Sequence, residues 1–162
     1  MKIKKVVLLF LALLFPACIF IFLKFFGKNE FTVPALYTEV YPEGVSDCGT
    51  TITLPYHVPD SVQESLHLTK DSLTLIHFGE APAESQQQLS RVRNEYGSEI
   101  TLKSLSPSDS ISYLRKCIFF LKDKDDLVLL DGEGVIRGQY NAGDREEIDR
   151  LLMEVAILLK RY

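Results

Sequence analysis

Residues 73–78, 84–96 and 100–105 read as a strand, a helix and a strand in direct succession, and that order constrains the fold more than any other feature of the chain. Ser72 to Phe78 is apolar and β-favouring enough for a buried strand, and Gly79 to Pro82 breaks it. In the segment from Glu84 to Tyr96, Leu89, Val92 and Tyr96 recur at spacings of three and four. Polar residues such as Gln86, Arg91 and Arg93 take the other faces, and Gly97 provides a stop. Ile100 to Leu105 alternates apolar and polar, and a strand reached through a helical crossover lies parallel to the first. The result is a βαβ unit.

The remainder completes an α/β domain. Ser106 to Ser110 offers a turn and a helix cap, after which Tyr113, Leu114, Cys117, Ile118 and Leu121 share a stripe that predicts a helix over 111–121. Leu127 to Leu130 and Val135 to Tyr140 flank Asp131-Gly-Glu-Gly134, whose glycines suit the tight turn of a β-hairpin. Asp144 is placed to cap a last helix with Glu147 three residues on, its apolar face being Ile148, Leu151, Leu152, Val155 and Leu158, with Lys160 and Arg161 at its end. Unit, helix, hairpin and closing helix in this order predict a thioredoxin-like fold for residues 61–162. Between 28 and 60, Pro34, Pro42, Pro55 and Pro59 oppose any long helix, so an extended entry segment is expected.

Ahead of it, Val6 to Phe26 has no charge before Lys24, which meets the roughly 20 apolar residues of a membrane span. Residues 1–27 are therefore expected to be a cytoplasmic tip and a single N-terminal transmembrane helix, too long in its apolar part for a cleaved signal peptide. Lys2, Lys4 and Lys5 orient it with the N-terminus inside, against the weaker pull of Lys24 and Lys28. The expected location is the cytoplasmic membrane, single pass, with the C-terminal domain on its periplasmic or outer side. A lipoprotein anchored through Cys18 is disfavoured by the approach Phe15-Pro16-Ala17.

Four of the 18 Lys and Arg are at positions 2, 4, 5 and 24, so the rest of the chain carries 14 against 22 Asp and Glu. An acidic domain without a basic cluster is not expected to bind nucleic acid. Cys48 and Cys117 are its two cysteines, a candidate disulfide in an oxidising compartment.

Three stretches carry a family resemblance: Tyr56-His-Val-Pro-Asp60, the strand and loop from Leu73 to Ser85, and LVLLDGEGVIRGQY from Leu127 to Tyr140. Together they resemble the Sco/SenC family, membrane-anchored thioredoxin-like proteins that deliver copper to cytochrome oxidase through a Cys-x-x-x-Cys pair and a distal His. The family's first Cys-Pro aligns with Ala81-Pro82 and its second Cys with Ser85, so Ala81, Pro82 and Ser85 mark a degenerate active site. Copper(I) prefers thiolate donors, and disulfide exchange needs a thiolate nucleophile; a methyl and a hydroxyl supply neither. The segment before the late hairpin is shorter than in the family and has no His to serve as the third ligand.

The expected function is accordingly a non-catalytic, membrane-anchored Sco-like domain that acts as a partner-binding or assembly factor, with a respiratory-complex or other membrane protein as partner. Two alternatives stay open. One is a copper chaperone for oxidase assembly whose ligands have moved to Cys48 with His57 or His77, and the other is a thiol oxidoreductase using Cys48 and Cys117. His77, within an apolar strand, otherwise reads as a core histidine. Glu80 and Glu84 read as loop and helix-start charges, and Ser85 has no His-Asp arrangement near it in sequence to activate it.

Overall fold

A computed structural model describes residues 2–26, 31–49, 51–70 and 72–160, without the side chains at 2, 6, 9, 11, 23, 25, 26 and 109. Lys28 and Arg161 lie outside the described residues. The chain divides into two units, Met1–Thr32 and Val33–Tyr162.

The first unit holds helix α1, Lys2–Phe26, with Pro16 inside it. Among the described residues no helix is long and apolar enough to cross a membrane. This corrects the expected transmembrane anchor, and with it the single-pass localisation and the outer-side placement of the C-terminal domain.

The second unit is a mixed α/β domain. A short helix α2 (Asp60–Ser65) precedes β1 (Leu73–Phe78), α3 (Ala83–Tyr96), β2 (Ile100–Leu105) and α4 (Asp109–Tyr113). A π-helical turn (Leu114–Ile118), β3 (Leu127–Leu130), β4 (Ile136–Tyr140) and α5 (Arg145–Leu158) follow. The sheet order is β2-β1-β3-β4. β1 and β2 are parallel with Leu73 opposite Ile100, as a helical crossover requires, while β3 runs antiparallel to both β1 and β4.

Strand periodicity divides the core between the two faces of the sheet. Leu73, Leu75, Leu127 and Leu129 pack on α3 and α5 through Val92, Tyr96, Ile148, Leu151 and Val155. Ile76, Phe78, Val128, Leu130 and Ile136 meet Tyr56, Val58, Phe119 and Phe120 on the opposite side. Each large side chain buried in this way contributes about 1.5–3 kcal/mol. An Arg91–Asp149 ion pair at 2.6 Å joins α3 to α5.

The second core is covered mainly by irregular chain. The entry segment runs along the β4 edge, the Leu36 amide donating to the Ile136 carbonyl at 2.8 Å and the Val58 amide to the Gly134 carbonyl at 2.9 Å. The segment is not extended throughout: a 3-10 turn forms over Val45–Cys48. Beyond it, α2 begins directly after Pro59, a start favoured by the fixed proline φ and by Asp60 in the first turn. The helix expected over 111–121 is also revised, because regular α-helix stops at Tyr113 and the π-helical turn follows. Phe120 then takes a positive φ of 50°, and the Gln139 side-chain amide donates to the Phe119 carbonyl at 2.7 Å and to the Phe120 carbonyl at 3.3 Å. Burial of both phenylalanines in the second core outweighs continuation of the helix.

The caps and the hairpin are built from local hydrogen bonds. Ser108 Oγ accepts from the Ile111 amide and Asp144 from the Glu146 amide, starting α4 and α5. In the hairpin, Asp131 Oδ1 accepts from the Glu133 and Val135 amides while Oδ2 receives Arg137. Gly134 holds a φ of 76°, which favours glycine there.

Candidate functional site

The loop after β1 sits at the C-terminal end of that strand, where open α/β sheets place their ligands. Gly79, at φ 107°, turns the chain out of the sheet, and Pro82 caps α3. The Gln86 side-chain amide donates to the Ala81 carbonyl at 2.8 Å and closes the loop onto the first turn of the helix. Ser85 is buried on the inner side of that turn, near the loop at 141–143. No thiol is found from Ala81 to Ser85, and Glu80 and Glu84 are exposed to solvent.

His77 lies one residue short of the end of β1 and is only 2% exposed. Its Nε2 is 3.5 Å from Asp126 Oδ2. That contact is electrostatic only, since Nε2 has no hydrogen-bond partner. Asp126 is held elsewhere: its Oδ1 accepts from the Ala142 amide at 2.6 Å, its carbonyl from the Phe78 amide and its own amide donates to the Tyr140 carbonyl. The start of β3, the end of β1 and the loop after β4 therefore converge on one carboxylate. Because Nε2 is unpartnered, Ser85, His77 and Asp126 do not form a nucleophile-base-acid relay.

The relocated donors do not assemble. Cys48 is joined to Cys117 in a disulfide with a Cα–Cα separation of 5.6 Å, so neither sulfur is a thiolate. His57 is exposed with Nδ1 3.1 Å from the Pro55 carbonyl, and His77 is buried within the sheet. Among the described residues no three His, Cys, Asp or Glu side chains stand together as a metal site. Among these residues the copper that the family resemblance implies therefore finds no matching donor set. Cys117 is buried at 7% exposure, whereas Cys48 is half-buried.

Sequence reasoning missed the surroundings of His77. A cavity of about 280 Å³ opens between α3 and the β1–β2 pair, with His77, Leu75, Leu89, Arg93, Leu102 and Leu127 in its lining. The stripe Gln86, Leu89, Ser90 and Arg93, at spacings of three and four, was the available signal, masked by the polarity of three of its members.

No protein-family model matches the chain, and no curated protein matches it. The class defined by fold and site is a mixed α/β domain with a four-stranded sheet whose strand-end loop carries no reactive thiol.

Proposed function

We propose that this protein is a non-catalytic thioredoxin-like domain, similar to Sco proteins, that works as a partner-binding or assembly factor. The observation that carries the reading is the strand-end loop, where Ala81, Pro82 and Ser85 stand in place of a reactive pair and Ser85 is buried under the first turn of α3. The element order, with one parallel crossover followed by an antiparallel hairpin, supports the thioredoxin-like part of the proposal. A domain of this kind retains a rigid surface after the chemistry at the strand end has gone.

The test combines a copper(I) competition titration with a disulfide-exchange assay on the full chain, followed by cross-linking in its native cell extract and identification of the captured protein. The expected result is neither stoichiometric copper binding nor exchange turnover, together with one recurrent protein partner lost when the surface around Ala81 is substituted. Tight one-to-one copper binding, or catalytic exchange, overturns the reading.

A further inference from the structure

We infer that the cavity between α3 and the β1–β2 pair is a binding site for a small carboxylate carried on a short apolar chain. Its volume, about 280 Å³, is at the lower end of ligand pockets, which limits the occupant to a small molecule. Leu75, Leu89, Leu102 and Leu127 supply an apolar wall. Among the described residues no Asp or Glu lines it, although the chain as a whole has 22 acidic residues.

Six polar residues line the cavity: His77, Gln86, Ser90, Arg93, Lys103 and Ser104. His77 is buried, and its Nε2, which has no hydrogen-bond partner, lies 3.5 Å from Asp126 Oδ2. Arg93 has no carboxylate partner among the described residues. The other cation, Lys103, is committed, its ammonium donating to the Leu66 and His67 carbonyls. Among the described residues, Arg93 is therefore the lining cation without a carboxylate or carbonyl partner for its side chain. A carboxylate is favoured at Arg93 and disfavoured at His77, where the Asp126 carboxylate stands 3.5 Å away. The acid group thus pairs with Arg93, and the apolar chain lies along the leucines. The cavity shares Ala81 and Gln86 with the strand-end loop, but the assignment rests on Arg93 and the leucines and not on that loop's proposed role.

The experiment is an NMR titration of the full ¹⁵N-labelled chain with sodium octanoate, with octan-1-ol and sodium acetate as comparison probes. Saturable one-to-one shifts confined to α3, β1 and β2 are expected with octanoate, and binding about tenfold weaker or worse with the alcohol, which lacks the charge, and with acetate, which lacks the chain. Arg93→Gln, an exposed substitution, is expected to weaken octanoate binding at least about tenfold. Leu89→Trp fills the cavity from a half-buried position and is expected to abolish the shifts. No saturation by about 10 mM octanoate, unchanged affinity in Arg93→Gln, or shifts confined to α1 overturns the assignment.

Discussion

The Tyr56 hydroxyl donates a buried 2.9 Å hydrogen bond to the Ile118 carbonyl, tying the entry segment to the π-helical turn across 62 residues of chain. The same turn carries Cys117, bonded to Cys48, so irregular chain is fastened over the second core at two points. The Tyr56 ring also meets Phe120 edge-on, with centroids 5.0 Å apart.

Tyr56→Phe keeps the ring in place and removes the donor. The buried carbonyl of Ile118 loses its bond to the hydroxyl, and the expected loss of stability is about 1–3 kcal/mol. Urea unfolding followed by far-ultraviolet circular dichroism measures it. An unchanged midpoint would show that the bond makes no net contribution.

Reduction of the disulfide is expected to cost more. Cys48 and Cys117 are 69 residues apart, and release of a loop of that order destabilises by about 2–4 kcal/mol through the added freedom of the unfolded chain. The urea midpoint should fall on reduction, and the Cys48→Ser, Cys117→Ser double variant should match the reduced chain. Equal midpoints for oxidised and reduced protein would contradict the expectation.

Stability should decline in alkali. Burial pushes the Tyr140 phenol well above its ordinary value of 10.0, and the Glu154 carboxylate that accepts its hydrogen bond adds to the effect. Burial likewise raises Tyr56 and Tyr37. Above about pH 10 the unfolded chain releases phenolic protons that the folded chain retains, so stability is complete below that pH and falls as pH rises beyond it. Urea unfolding at about pH 8 to 12 should show this fall, less steep in Tyr140→Phe. Identical slopes in the two proteins would remove Tyr140 from the account.

Gly138→Ala tests the packing around Tyr140. A Cβ at position 138 would run into the Tyr140 ring, which is fully buried and has the Arg150 guanidinium over it at 4.4 Å. Overpacking of this kind costs about 1–3 kcal/mol. The thermal midpoint should drop, and the absence of any further drop when Gly138→Ala is added to Tyr140→Leu would confirm the clash as its source.

The strands and the long helices of the domain were legible because their signals are local. Leu73 to Phe78, Ile100 to Leu105 and the helix ending at Tyr96 follow from residue spacing, and the Asp144 cap begins α5 where the acidic side chain precedes an apolar stripe. The helix over 111–121 failed for the opposite reason. Its stripe is sound, but Phe119 and Phe120 are drawn into a core whose other members, among them Tyr56, Ile76 and Val128, come from distant parts of the chain. Local spacing does not register that attraction. For the N-terminal span, hydropathy favoured an anchor, whereas no helix among the described residues is long and apolar enough for one.

At the candidate site the absence of thiols from Ala81 to Ser85 is a property of the residues themselves and requires no fold to be read. The unpartnered His77 Nε2, the nearby Asp126, the place of Arg93 in the cavity lining and the pairing of Cys48 with Cys117 are properties of approach. The sequence by itself determined the four strands, the helices α3 and α5 and which chemistry the loop lacks, because those depend on neighbours a few positions away. Only the tertiary structure decided which side chains share a cavity and which sulfurs meet, because chain closure and burial bring together groups 50 or more residues apart, such as His77 and Leu127 or Cys48 and Cys117.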